Sequence, residues 1–281
     1  MQPDHLAAAE IPCALALVRE CGWNQVAADW EWFLAHGEVL KHLRGDALAA
    51  TAAILPYAGF GWISMVLVSQ LQRRQGIATT LLEACVARLR ERGLVPVLDA
   101  TPAGREVYRR MGFVDGWAIT RWRRTDSEAM AVTPTSTEIA VRPLAEHDWP
   151  QVTAMDAEVF GADRSALLRH LAGRSTSFAC VAERGGRIVG YLLGRDGRVA
   201  TQIGPMVAIS GDIAQALAAD ALPRITGPIL IDVLDRHGAF AAQLQAAGFA
   251  IERGYTRMAF GAAPDFGDAQ RTVAIAGPEL G

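Results

Sequence analysis

Little in this chain would serve metal, redox or membrane chemistry. The four cysteines, Cys13, Cys21, Cys85 and Cys180, are scattered without a CxxC spacing, which speaks against a zinc ribbon or a disulfide framework and makes them small core residues. No metal is expected. Apolar runs stop short of the ~18 to 20 residues that span a bilayer, and the first residues lack a basic stretch followed by an apolar signal core. A cytoplasmic location with no membrane partner follows by default. The net charge of -3 gives no general attraction to nucleic acid, so any basic site must be local. Two phosphate-binding devices are also missing, since there is no GxxxxGK[ST] and no GxGxxG after a first strand. Lysine is nearly absent, Lys41 standing alone against 26 arginines, a bias that carries no function.

What is present has the balance of a globular protein, 51% apolar and 20% charged, and 281 residues suffice for two domains that each bury a core. Thr125 to Glu138, TDSEAMAVTPTSTE, is small and polar with Pro134, and reads as a linker between patterned regions at 1–124 and 139–260. Residues 261–281 hold four glycines and two prolines and read as a tail without structure of its own.

The two patterned regions repeat one order of elements. Each opens with helical apolar spacing, Ile11, Ala14, Leu15 and Val18 in one and Val152, Met155 and Val159 in the other. Two strands follow across a tight turn, Arg44-Gly45-Asp46 or Arg184-Gly185-Gly186-Arg187. A third strand (Trp62 to Val68; Thr201 to Ala208), a helix, a strand reaching an aspartate (Asp99; Asp232), a short helix ending at Gly-Phe and a last strand complete each unit. Gly112-Phe113 and Gly248-Phe249 share an offset of 136 positions with Arg121 and Arg257. That agreement predicts an internally duplicated α+β unit.

Within the first unit, Trp62 to Ala87 has the pattern strand, loop, helix. Ile63, Met65, Val66, Leu67 and Val68 are too apolar for a half-exposed strand and belong in mid-sheet. A helix then begins near Gly76, with Ile77, Leu81, Leu82, Cys85, Val86 and Leu89 on one face. The first amides of a helix have no intrahelical partners and sit at the positive end of its dipole, which suits a phosphate. Gly76 admits close approach, Ala78 is small, and Arg73 and Arg74 add charge; from Arg73 to Arg124 eleven arginines face five acidic residues.

The spacing Arg73-x-x-Gly76-x-Ala78 resembles the pyrophosphate-binding motif of the GNAT superfamily of N-acetyltransferases, and Tyr108-Arg109-Arg110-Met111-Gly112-Phe113 resembles that family's second signature. The resemblance covers roughly Leu6 to Arg124, and the whole chain is similar to the bacterial two-domain members. It implies tandem units, each a mixed, mostly antiparallel sheet flanked by helices. It also implies acetyl-CoA as co-substrate, held by Met65, Val66, Leu67 and Val68 along the strand, by Arg73, Arg74, Gln75, Gly76, Ile77, Ala78 and Thr79 at the loop, and by Thr101 and Tyr108. The acceptor would be the primary amine of a small molecule or peptide, and a homodimer is an open arrangement.

In that scheme a strand amide polarises the thioester carbonyl and Tyr108 protonates the departing sulfur; the plainer role for Tyr108 is packing under the sheet. Thr101, a helix N-cap before Pro102, stands where many members have an asparagine. Asp99 is a candidate for orienting the substrate or for a water-mediated base, and equally for bonding loop amides. No acid lies on the strand 60–68, so a general base is unassigned, and Asp29, Glu31 and His36 are weak alternatives. Trp23 and Trp30 are candidates for an acceptor wall. The second unit has Ser210-Gly211-Asp212 where the loop should be and Leu244 in place of the tyrosine, so its expected tasks are packing, shaping the acceptor cleft or dimerisation. A non-catalytic acyl-CoA sensor is the alternative for the whole chain.

Overall fold

A computed structural model describes residues 3–125 and 139–281; all of the predicted linker except Thr125 lies outside the described residues. The first half runs β1 (Asp4–His5), α1 (Ile11–Glu20), α2 (Ala27–His36), β2 (Glu38–Arg44), β3 (Ala47–Pro56), β4 (Phe60–Val68), α3 (Ile77–Glu91), β5 (Val95–Ala100), α4 (Pro102–Arg110) and β6 (Phe113–Arg124). The second repeats it with β7 (Ala140–Pro143), α5 (Trp149–Phe160), α6 (Ser165–Arg174), β8 (Cys180–Arg184), β9 (Arg187–Arg195), β10 (Thr201–Ala208), α7 (Gly211–Ala221), β11 (Ile229–Leu234), α8 (Gly238–Ala246) and β12 (Ala250–Phe260), followed by β13 (Thr272–Ala274).

Local chemistry accounts for these bounds. The turn between β2 and β3 needs Gly45 at φ 60°, and helix α3 starts from Gly76 at φ 79°, both in the left-handed region that glycine occupies without strain. Helix α3 turns Leu81, Leu82, Cys85 and Leu89 onto the sheet and ends with Arg88 and Arg90, which complement its C-terminal dipole.

All strands join one sheet in the order β1-β2-β3-β4-β5-β12-β6-β11-β13-β10-β9-β8-β7. It is mixed and mostly antiparallel; β4–β5 and β10–β11 pair in parallel. The halves exchange their last long strands. β12 of the second half pairs with β5 of the first, and β6 of the first pairs with β11 of the second, while β6 and β12 pair with each other. The exchange is locked by two equivalent ion pairs at directly opposed positions. Arg121 on β6 grips Asp232 on β11 (2.7 and 2.7 Å), and Arg257 on β12 grips Asp99 on β5 (3.0 and 3.0 Å). Both aspartate side chains are fully buried, where a charge is tolerated only when paired.

The segment 261–281, expected as a loose tail, is instead part of the core. β13 pairs with both β10 and β11, and Val273, Ala274, Ile275, Ala276 and Leu280 are buried. Polarity misled the reading because backbone, rather than side chains, does much of the anchoring. Trp62 Nε1 donates to the Pro278 carbonyl (2.9 Å), Tyr57 to that of Leu280 (3.2 Å), and Arg164 to that of Gly281 (2.7 Å). One apolar core, containing Leu17, Trp30, Phe33, Trp62, Val152, Phe160 and Leu280, runs across both halves. Among the described residues no helix is long and apolar enough to cross a membrane. Cys85 and Cys180 are buried as expected, but Cys13 is exposed.

Candidate active site

The site begins where β4 and β5 part. Their parallel pairing covers Phe60↔Val95 to Trp62↔Val97 and then stops, so β4 from Ile63 onward has lost its neighbour on that side. On the other side the β3–β4 ladder slips by one residue between Thr51 and Ala53, a bulge marked by Met65 at φ 51°. Thr51 Oγ1 donates to the Met65 carbonyl (2.9 Å) and holds it. The bulge sends Met65 and Leu67 into the shared core while Val66 and Val68 join the cluster under α3.

After β4 the loop is pinned at its base. Glu20 accepts from Ser69 Oγ (2.9 Å) and the Gln70 amide (2.5 Å), and Arg73 Nε donates to the Val68 carbonyl (3.2 Å). Arg73, Arg74, Gln75 and Gly76 are exposed, and Arg74 makes no hydrogen bond or ion pair among the described residues. The α3 ladder starts with Thr80 donating to the Gly76 carbonyl (3.0 Å), which leaves the amides of Ile77, Ala78 and Thr79 outside it. A Cβ at Gly76 would meet nothing within 4 Å, so the glycine serves its positive φ and an open approach. Free amides, a helix dipole, two arginines and open space fit the diphosphate of coenzyme A.

Across the cleft, Thr101 caps α4 by accepting from the Gly104 amide (3.2 Å), with Pro102 in the first turn. Tyr108, two turns on, packs its ring near Phe113 (centroids 6.1 Å) and leaves its hydroxyl without a hydrogen bond among the described residues. Burial raises its pKa, so the phenol keeps its proton at neutral pH.

Between these walls lies a cavity of about 460 Å³. It is lined by Ser64, Met65, Val66, Thr101 and Tyr108 from the first half, by Trp23, Asn24 and Gln25 from the turn after α1, and by Arg121, Arg123, Glu252, Arg253 and Tyr255 on the exchanged strands. Pro278 and Glu279 complete it. The turn after α1 is itself tied to the second half, since Asn24 Oδ1 accepts from the Val199 and Ala200 amides (2.9 and 3.1 Å).

Of the residues expected on the acceptor side, Trp23 lines this cavity. Trp30 does not: it is fully buried in the core against Phe33, because the apolar face of α2 turns inward. Asp99 borders the cavity with each carboxylate oxygen accepting from Arg257, so it locks β12 and bonds no loop amide among the described residues. Burial pushes its carboxyl up, and the Arg257 charge opposes that. Asp29 is buried under Arg174 and Arg195, Glu31 is exposed, and His36 stacks on Trp32 at the surface.

Among the lining residues that were missed are 24, 25, 64, 121, 123, 252, 253, 255, 278 and 279. The shared 136-residue offset of Arg121 and Arg257 was the available clue to the strand exchange; for Glu279 the sequence held none.

The second half answers each feature with its opposite. β10 and β11 also part after a short parallel pairing, Thr201↔Ile229 to Ile203↔Ile231, but β13 fills the gap. At the start of α7 the Asp212 carboxylate, bonded by Ser210 and by Arg184 (2.8 Å), puts a negative charge where the first half has arginines; the Ser210 hydroxyl, then its own backbone amide and the Arg184 charge, lower its pKa.

This paired architecture agrees with comparisons to known proteins. A model described as "Acetyltransferase (GNAT) family" matches residues 13–113, and one described as "Acetyltransferase (GNAT) domain" matches residues 152–272. The chain is a tandem GNAT protein. It is similar to an uncharacterized N-acetyltransferase, YitH, of Bacillus subtilis (strain 168), with 24% identity over 209 residues, 74% of this chain and 72% of that protein. In fold this GNAT chain resembles a putative acetyltransferase from Pyrococcus horikoshii (TM-score 0.79, 18% identity, 99% of this chain and 95% of that one). It also resembles a GCN5-related N-acetyltransferase from Sphaerobacter thermophilus (TM-score 0.69, 16% identity, 94% and 96%). A tandem GNAT protein from the clavulanic acid biosynthesis pathway superposes with a TM-score of 0.64 at 13% identity over 93% and 98%. Membership of this family supports acyl transfer from acetyl-CoA as the general chemistry.

Proposed function

We propose that the chain is an acetyl-CoA-dependent N-acetyltransferase acting on the primary amine of a small molecule or peptide, with a single active site in the first half. The observation that carries this reading is that the strands part in both halves, yet the gap stays open beside a free helix N-terminus and Tyr108 in one and is filled in the other.

Acetyl-CoA would supply an acyl group on a thioester. The loop amides with Arg73 and Arg74 bind its diphosphate, and the unpaired edge of β4 at Met65 to Val68 offers backbone groups to the pantetheine arm. A backbone amide there polarises the acyl carbonyl, a donor that needs no reorganisation because the bulge is already fixed by Thr51. As the C–N bond forms and the C–S bond breaks, Tyr108, held protonated by burial, donates to the departing sulfur, and the proton given up by the acceptor nitrogen passes through water to restore the phenol. Trp23, the exchanged strands and segment 278–279 form the acceptor side.

The test is thiol release from acetyl-CoA with a panel of primary amines, alongside direct measurement of acetyl-CoA binding. Amine-dependent release supports the reading. Binding without release across a broad panel would favour the sensor instead.

A further inference from the structure

The segment 272–281 does more than fill the second cleft, because it goes on to deliver a carboxylate into the first. We infer that Glu279, with Gln25 and Ser64, forms a subsite for the primary ammonium group of the acceptor. This rests on reading the cavity as the acceptor side of the acetyltransferase.

The hydrogen-bond inventory points to a ligand that donates. Gln25 Nε2 donates to Glu279 Oε1 (2.8 Å), which fixes the amide orientation and leaves Gln25 Oε1 buried without a partner. Ser64 Oγ is likewise buried and unpartnered among the described residues. Both side chains belong to residues that are more than nine-tenths buried, at 5% and 7% exposure, and both line the cavity. Glu279, at 4% exposure, takes its bonds from Gln25 and Arg195 on the same oxygen, so Oε2 has no hydrogen bond among the described residues. Gln25 Oε1 and Ser64 Oγ are thus buried without donors among the described residues, and the free Glu279 oxygen belongs to the same cavity lining. Leaving buried acceptors unpaired is costly, and an N–H-rich group in the cavity supplies the donors they lack.

Charge and donor number set the kind of ligand. Arg195 Nη1 turns to Asp29 and Nη2 to Glu279 Oε1, so the other oxygen of the Glu279 carboxylate has no arginine among the described residues. A hydroxyl brings one donor, whereas an ammonium brings three N–H donors and a charge that suits a carboxylate oxygen.

The experiment uses the full chain saturated with coenzyme A and titrates n-butylammonium against n-butanol by calorimetry. The wild type should bind the ammonium about tenfold or more tightly than the alcohol. In Glu279→Gln that preference should vanish, with coenzyme A affinity unchanged. Because Glu279→Gln also weakens the hold on Arg195, Ser64→Ala provides a second arm that touches no protein hydrogen bond; it should weaken ammonium binding a few-fold. No preference in the wild type overturns the subsite, as does unaltered ammonium binding in both variants. Ammonium binding that depends on Glu279, without acetyl transfer to any amine, would retain the subsite and remove the acetyltransferase reading. Transfer with an amine KM unchanged in both variants would do the reverse.

Discussion

At the ends of β4 and β10 the same event happens twice, a parallel neighbour lost after three residue pairs, and the two halves use it differently. In the first half the edge is left open and an anion-binding helix end stands beside it. In the second, β13 lies in the gap so closely that a Cβ at Gly204 would sit on the Ile275 carbonyl, which admits only glycine there. At that helix end the Asp212 carboxylate is held by Arg184 and Ser210. These losses are consistent with one another. Once backbone fills the gap, a phosphate site above it has nothing to hold, and its dipole is better met by a carboxylate. What the second half gives up as a binding site it returns as walls, since Arg253, Tyr255 and Glu279 line the first half's cavity.

The strongest way to break this asymmetry is Tyr108→Phe. If all turnover depends on the first half, kcat should fall about 10²- to 10⁴-fold, the usual worth of a general acid, with acetyl-CoA affinity kept. The second half, with Leu244 in that position, should not make up the difference. Because burial raises the Tyr108 pKa above that of a free phenol, its proton stays on through neutral and mildly alkaline pH. An alkaline fall of kcat that originates in Tyr108 should therefore come at higher pH than a free phenol would give. A limb well below that, still present in Tyr108→Phe, would assign it to another group.

Where the halves are alike, they should respond alike. Asp99→Ala and Asp232→Ala each leave an arginine on an exchanged strand without its buried carboxylate, so each should cost about 3 to 5 kcal/mol in urea unfolding. Similar losses would establish the two pairs as equivalent locks. A small loss at one would mean that its half holds the exchanged strand by other means.

The phosphate loops should differ again. Gly76→Leu forces a side chain onto a backbone at φ 79° and into the open approach to α3. Losing two charge-assisted bonds of about 1.5 kcal/mol each should weaken acetyl-CoA binding about 100-fold. Gly211→Leu, at the start of α7, should leave that affinity unchanged.

Periodicity and turn chemistry made the element order legible, and the third strand of the second unit, Thr201 to Ala208, runs over the same residues in the structure. Motif spacing brought Arg73, Gly76 and Tyr108 forward as candidates because their chemistry depends on local backbone. The pairing of Asp99 was illegible for the opposite reason. Its partner Arg257 is 158 positions away, and nothing near Asp99 in sequence announces the exchange. Segment 261–281 was misread because glycine and proline usually mark a solvated chain, whereas here they let backbone pass between strands and hydrogen-bond to Trp62 and Tyr57.

The smallest effect separates activity from stability. Position 104 is glycine within α4, where alanine would favour the helix by about 1 kcal/mol. A Cβ there would lie 3.0 Å from Tyr108 Cε2 and 3.2 Å from Cζ, so the ring must yield by a few tenths of an ångström. At the matching offset the second half carries Phe240, buried in α8 alongside Leu244. The small residue accompanies the tyrosine and disappears with it. Gly104→Ala should therefore raise or preserve Tm while lowering kcat several-fold, because the displaced group is the proton donor. A kcat equal to wild type would mean that the Tyr108 hydroxyl tolerates the shift, and Gly104 would then be a helix defect without a catalytic reason.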